Sequence, residues 1–342
     1  MTRTVDTRLE VIRGNARVFD LKTIDTPKIT FDGEARIKSS LAATVLYDDR
    51  FDMLRDEIRA VLTVDGVDHP VGVFAVAAAN KITNDDEVQL ILEAYDRCWY
   101  AQAIKWEPTM QLEAGVNYID TINELLVSSG ITNIRATPTP ATLPTVRIWD
   151  GGASYLDIIN ELLGEINYKE LWFDASGAAV IEPRSVLGAE HIQHQLDGNS
   201  VKSLLIPGVE QQTDVFDAPN VFVLVCSNPD LPAPLVSRAE NDNPSSPLST
   251  MRRGRRIVTY IAVDNVADQA ALDEMARLTK WESMAFGETA KCSTALLPGY
   301  GLDDVIALVY KDVAGIYISS AWTMDFVAGG EMEHTLKRLR YI

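Results

Sequence analysis

Two histidines three residues apart, in His191-Ile-Gln-His194, form the only histidine cluster among four histidines in the chain. On a helix, imidazoles at i and i+3 can share a metal. The third ligand and the general-base carboxylate of a metalloprotease motif are missing, and the competing reading is a surface pair in a linker. Carboxylates cluster at Asp48-Asp49 and Asp85-Asp86-Glu87. Asp85 to Glu87 lacks the alternating oxygen ligands and the glycine of a calcium loop, and a polar hairpin tip accounts for it. Paired carboxylates for glycoside cleavage are defined by a spatial separation of ~5–9 Å, and nothing singles out such a pair. No serine sits in a Gly-x-Ser-x-Gly elbow, and no glycine-rich loop precedes Lys-Ser or Lys-Thr, so acyl transfer and nucleotide hydrolysis find no support. Gly299-Tyr-Gly301 precedes a strand and reads as a turn. Cys98, Cys226 and Cys292 show no CxxC spacing and read as reduced core thiols rather than a zinc site or a disulfide framework. The expectation is therefore no catalytic residues, no metal and no cofactor.

Two features remain. Arg252-Arg-Gly-Arg-Arg256 concentrates four arginines in a chain with 31 Lys+Arg against 49 Asp+Glu, a net charge of −18. Arg252, Arg253, Arg255 and Arg256 are candidates for contact with an acidic partner or a neighbouring subunit, the alternative being a solvated loop edge with Arg256 entering a strand. Trp149, Trp172 and Tyr168 could form a stacking platform for a sugar or peptide, or pack in a core.

The elements that must position these residues follow from periodicity and turn chemistry. Residues 1–105 read as strands. In Lys28 to Lys38, Ile29 and Phe31 share a face, and Asp32-Gly33 supplies a bend that returns Ala35 and Ile37 to it. Strands at 59–64 and 71–76 flank Asp65-Gly66, and a further hairpin turns at Asn84 to Asp86. Short strands with regular turns predict a small antiparallel barrel or sandwich. Residues 106–198 change character. Tyr118-Ile-Asp-Thr-Ile-Asn-Glu-Leu-Leu126 and Tyr155-Leu-Asp-Ile-Ile-Asn-Glu-Leu-Leu163 are a near-repeat. The N-caps Asn117 and Ser154, with Asp120 and Asp157 at the third helical position, predict two capping-box helices stopped by Gly130 and Gly164. A hairpin spans 171–183. This is a small α/β insert. Residues 199–342 return to strands, with a long loop at 227–255 holding five prolines, a helix at 264–286 ended by Gly287, and terminal strands. In 318–326, alternation places Ile318, Trp322, Met324 and Phe326 on one face. The fold class is mainly β with an α+β insertion.

Composition sets bounds on partners. The net −18 argues against a grip on a phosphate backbone, which needs clustered cations to release counterions. The longest apolar runs, such as Val221 to Cys226, fall well short of the ~20 residues that span a bilayer, and Met1 to Asp6 has no hydrophobic stretch behind it to make a secretory signal.

The ordered series of parts resembles the baseplate-hub, or tail-hub, proteins of phage tails and related contractile injection machines. The residues that carry it are Val71-Gly-Val-Phe74, the two helical repeats, Leu171-Trp-Phe-Asp174, Val180-Ile-Glu-Pro183, the Asn243 to Ser249 loop, the helix near Ala270 to Ala276, Tyr317-Ile-Ser-Ser-Ala-Trp322 and Glu331 to Leu336. The resemblance implies two tube-type β-barrel domains, at 1–105 and 199–342, separated by the 106–198 insert. It also implies a homotrimer whose six barrels form a pseudo-sixfold ring. Implied partners are a tail-tube or distal tail protein on one side and a spike or tip protein, with other baseplate proteins, on the other. DNA would pass through without specific binding, along an acidic or neutral wall from which Arg252 to Arg256 point away. The implied location is the virion tail, assembled in the host cytoplasm. Larger relatives append lytic or fibre domains, and the end of this chain soon after Leu336 leads to the expectation that none is attached. The competing classes are a tail-associated cell-wall hydrolase and a carbohydrate-binding tip module.

Overall fold

A computed structural model describes residues 3–84, 87–107, 109–213, 218–228, 231, 233–285 and 288–339. The first β half comprises β1 (Val5–Arg13), β2 (Ala16–Leu21), β3 (Lys28–Asp32), β4 (Ser39–Leu46), β5 (Glu57–Val64), β6 (Val67–Thr83) and β7 (Val88–Tyr95). Six of these make a circuit. Antiparallel pairing runs β2-β1-β5-β6-β7-β4, and a bridge from Thr23 to Val45 returns the chain beyond β2 to β4. The β5–β6 hairpin is closed by Asp65 and Gly66 at φ 50° and 82°, the two positive values a tight primed turn demands. Pro70 is accommodated where the β5–β6 register shifts. Contrary to the bend expected at Asp32-Gly33, β3 ends at Asp32, and Ala35 and Ile37 lie in a connecting turn rather than on a returning strand.

The insert follows: α1 (Cys98–Ala103), β8 (Met110–Leu112), α2 (Tyr118–Ser128), β9 (Ile134–Ala136), β10 (Arg147–Trp149), α3 (Tyr155–Glu165), β11 (Trp172–Phe173) and β12 (Ala179–Ile181). Asn117 Oδ1 accepts from the Ile119 and Asp120 N–H groups, while Ser154 and Asp157 form the full reciprocal box. Of the two helices expected to carry that box, α3 alone does. Gly130, at φ 81°, ends α2 as expected, with the Ile131 and Gly130 N–H groups returning to Leu126 O and Val127 O. Gly164 does not stop α3. The helix continues to Glu165, and Asn167, at φ 59°, takes the left-handed position, with the same paired bonds from Tyr168 and Asn167. Asparagine tolerates that conformation through its short polar side chain. Ile122, Leu126, Ile159 and Leu163 are wholly buried between the helices and the small sheets β10-β8 and β11-β12-β9.

The second β half contains β13 (Ile192–Asp197) and β14 (Leu205–Thr213), and resumes after an excursion with β18 (Glu288–Ala295), β19 (Val305–Tyr310), β20 (Val313–Asp325) and β21 (Glu331–Leu339). Its order is β14-β18-β21-β20-β19-β13, antiparallel except for β13, which runs parallel to β19. The excursion holds β15 (Val221–Cys226), β16 (Leu235–Glu240), α4 (Thr250–Arg253), β17 (Val258–Val263) and α5 (Gln269–Ala285). The long loop expected at 227–255 thus contains a strand and a short helix. Pro229 and Pro232 lie outside the described residues, as do Phe286 and Gly287 at the expected end of the helix. The sheet β16-β15-β17 packs Phe222, Leu224 and Cys226 on Leu272 and Ala276 of α5, a core of its own.

The two β halves are joined by β3, which pairs β4 on one side and β20 on the other, giving one 13-stranded sheet. Their apolar faces share one core, in which Phe74 and Leu62 from the first half and Tyr317 and Leu336 from the second are all fully buried. A bulge between Ser319 and Ala321 shifts the phase of β20. Trp322, Met324 and Phe326 share that core as expected, whereas Ile318 faces the opposite way, against Val305 and Leu339. The protein is mainly β, with mostly antiparallel pairing in its sheets and a few helices.

Candidate functional site

The four arginines fall at α4 and the entry to β17. Ser249 caps α4 by accepting from the Arg252 N–H, and Gly254, at φ 61°, ends it. Arg253 Nη1 donates to Ala218 O at 2.6 Å. Arg256 Nη2 meets Glu240 Oε2 at 2.7 Å, and Arg238 reaches the same oxygen at 2.5 Å, so two guanidiniums share one carboxylate. Arg252 and Arg255 are exposed, and among the described residues neither has a carboxylate within ion-pair distance.

The other candidates separate. His191 sits in a short turn, where its Nδ1 accepts from the Gly188 N–H at 3.1 Å. His194 lies on β13, and its Nε2 is 2.9 Å from Asp304 Oδ2. They occupy a turn and a strand rather than one helix face, so the i, i+3 geometry for sharing a metal does not arise, and His194 is part of the barrel packing rather than a linker surface. Among the described residues no group of three or more His, Cys, Asp or Glu side chains is placed to hold a metal. Asp48 binds Arg50, which holds its carboxyl down at about 2; Asp85 and Asp86 lie outside the described residues. The three cysteines are buried and unbridged, and burial pushes the Cys292 thiol up to about 12. Gly299 adopts φ 67°, and the Gly301 N–H caps onto Asp304, which makes the segment a turn.

Trp149 and Tyr168 belong to the insert core. The Trp149 indole N–H donates to Glu161, and the Tyr168 hydroxyl donates to Thr137 O. Trp172 is half-buried, so the three rings do not form an open platform. A cavity of about 400 Å³ lies where the insert, the barrel and α5 meet. Its charges neutralise one another: Lys38 pairs with Glu170 at 2.6 Å, Lys169 with Asp303 at 2.8 Å and Glu182 at 2.9 Å, and Arg184 with Glu282. Burial alone would lower the Lys169 pKa, but Asp303 and Glu182 outweigh it and hold the ammonium charged. This is an ionic joint between layers, with no unpaired cation aimed inward among the described residues.

Sequence reasoning missed the surface beside the arginines. Val236, Val258 and Tyr260 are 55%, 46% and 76% exposed on the outer face of β16-β15-β17. The signal was present in Val258-Thr-Tyr-Ile-Ala-Val263, where apolar residues occupy both parities of a strand that has only one helix to cover it.

No protein-family model matches the chain, and no curated protein matches it. Solved structures do. A tail protein from Neisseria meningitidis MC58 superimposes with a TM-score of 0.68 at 11% identity, covering 97% of each chain. The fold is that of phage tail proteins. The 43 kDa tail protein of prophage MuSo2 from Shewanella oneidensis gives 0.64 at 10% identity over 98% of each chain. The prophage tail protein gp18 from Listeria monocytogenes EGD-e gives 0.59 at 13% identity, covering 97% of this chain and 94% of that one. The tail-protein fold therefore takes in the insert and the α5 layer as well as the β halves. Among the described residues no helix is long and apolar enough to cross a membrane.

Proposed function

We propose that the chain is a structural, non-enzymatic hub of a phage tail or tail-like injection machine. Three copies form a pseudo-sixfold ring that joins the tail tube to the spike or tip and lines the channel for DNA. The observation that carries this reading is the tail-protein fold over almost the whole chain, reciprocally at 97–98% coverage. Two six-stranded β halves in one chain support the ring arithmetic, since three chains then supply six β units to match a sixfold tube. The division proposed is two tube-type domains flanking an insert, near 1–105, 106–198 and 199–342 but with α1 counted to the insert core and β13 to the second tube-type domain, and with the β15–β17 and α5 layer as an elaboration of the second.

The charge balance fits a conduit. A net −18 chain offers few phosphate contacts, and an acidic or neutral wall repels a duplex over a Debye length of ~8 Å at physiological salt. Arg252 to Arg256 would then face a neighbour rather than the channel. Electron microscopy of the purified chain and of particles containing it tests the reading. Rings with threefold symmetry at the tube–tip junction are expected. Particles that lack the chain, or that carry it in a number other than a multiple of three, refute it, as does a channel lined by Lys and Arg.

A further inference from the structure

We propose that the outer face and open edge of β17 form a self-association surface, covered by a second copy of this chain that presents acidic side chains to Arg252 and Arg255. The register defines the face: Val225 lies between Val236 and Ala262, Val223 between Arg238 and Tyr260, and Val221, which is already buried, between Glu240 and Val258. The inner face, with Phe222, Leu224 and Ile261, is taken up by α5. Among the described residues nothing covers the outer face at Tyr260, which is 76% exposed, or at Val236 and Val258. The face ends in a groove of about 440 Å³ where Val225 and Ala262 meet Val146 of the insert.

The edge is equally open. Among the described residues β17 is the last strand of its sheet, paired only with β15. Protected edge strands carry charge, proline or a bulge, and Val258-Thr-Tyr-Ile-Ala-Val263 has none of these. Such an edge presents unpaired N–H and C=O groups, a template for pairing with another chain.

Charge and size identify the occupant. Arg238 lies on the face and shares Glu240 with Arg256, and Arg252 and Arg255 are exposed in the segment that leads into β17, without a carboxylate in ion-pair distance among the described residues. The complement is an acidic surface, and a chain with 49 acids against 31 bases carries the excess of carboxylates to supply one. Three strands of six residues give an area of roughly 300 Å², well short of the ~800 Å² per partner of a stable interface. The patch must therefore be one part of a broader contact, as between large copies of the same chain, rather than the whole seat of a small ligand. The proposal rests on the hub reading for the identity of the assembly and adds where its copies touch.

Sedimentation velocity on the full chain over about a hundredfold range of concentration tests it, at ~10 mM and ~150 mM salt. Two bodies of charge −18 repel over the ~30 Å Debye length of the dilute buffer and far less at ~8 Å, while desolvated contacts are screened little, so association should strengthen with salt. Tyr260→Lys, and separately Arg252→Glu with Arg255→Glu, should each weaken association at least ~10-fold. Leu54→Glu, at a residue 96% exposed elsewhere, should leave it unchanged. A wild-type chain that stays monomeric throughout overturns the proposal. Variants that associate like wild type also overturn it, while leaving the hub reading intact, because the contact would then lie elsewhere. Should Tyr260→Lys fail to fold, hydroxyl-radical footprinting of the wild type decides: protection of Tyr260 with rising concentration is expected, and unchanged labelling refutes the contact.

Discussion

Replacing Arg147 by methionine should open the insert, and it should do so in a pH-dependent way. Glu165, 5% exposed, ends α3 with its carboxylate inside the insert core. Tyr118, fully buried, donates its hydroxyl to Glu165 at 2.7 Å, and Arg147 supplies the only guanidinium bonded to that carboxylate among the described residues. Burial raises the Glu165 pKa, with Arg147 opposing it. A carboxylate at a helix C-terminus also faces the negative end of the dipole. Methionine keeps the aliphatic stem but leaves the charge unpaired, a loss of about 3–5 kcal/mol for a buried pair.

The sign with pH follows from linkage. A carboxyl whose folded pKa is raised favours the folded state fully below its ordinary value, 4.5, and loses that advantage as pH rises through the folded value. The Arg147→Met penalty should be largest at neutral pH and shrink toward pH 4.5, leaving the lost stacking on Trp149 and the lost pair with half-exposed Glu161. Amide exchange of α2 and α3 is the assay, because a chain of several layers need not unfold in one step. At neutral pH, exchange should accelerate roughly a hundredfold or more, since each 1.4 kcal/mol is about a factor of ten. Adding Glu165→Gln, which removes the charge but can still bond Tyr118, should recover most of the loss. An Arg147→Met loss below about 1 kcal/mol at pH 7, or a double variant no better than the single, refutes the reasoning.

Three other outcomes are expected. His334 is held down to about 4 by burial and then by neighbouring His194, so its contribution to stability is unaffected above pH 6.5 and is lost as pH falls through the window from 6.5 to 4, about 3 kcal/mol in all; His334→Gln should flatten that slope in urea titrations, and an unchanged slope counts against it. Asn167→Ala should cost about 2 kcal/mol, from the left-handed φ and the 2.7 Å bond to Ala271 O; Asn167→Gly should cost less, and equal losses in thermal melts would mean that the backbone conformation is not the cause. Duplex DNA should show no retardation by the chain in gels at ~150 mM salt, and retention with a steep salt slope would contradict a non-adhesive conduit.

What could be read from the residues alone is what local physics decides. Asn117 and Ser154 mark helix starts because their side chains satisfy otherwise unpaired N–H groups, and Asp65-Gly66 marks a hairpin because few other pairs accept its backbone. Gly164 was misread because a glycine near a helix end is only permitted to stop it; Asn167, three residues on, carries the left-handed turn. The phase of β20 fails at Ile318 because a bulge at Ser320 is set by partner strands far away in sequence. The same holds for β3 joining β20 across nearly 300 residues. β16 was lost in a proline-rich stretch whose composition reads as loop. The candidate surface was half legible: the arginines stand out by charge, but the apolar face beside them exists only once β16, β15 and β17 lie side by side.

Those limits explain how the fold can be shared at 10–13% identity. Few positions need a particular side chain. The barrel asks for apolar residues on one face in the phase its bulges set, the insert for two capped amphipathic helices, and the turns for residues that tolerate positive φ. Leu62, Phe74 and Leu336 fill one core by volume rather than by chemistry, so volume-conserving exchanges leave the architecture standing. Surfaces have no such freedom when they must match a neighbour. The β17 edge and the arginines around it break two local rules, an uncharged open edge and a basic cluster on an acidic chain. Neither break improves the isolated molecule. Both are accounted for if the molecule is complete only in an assembly.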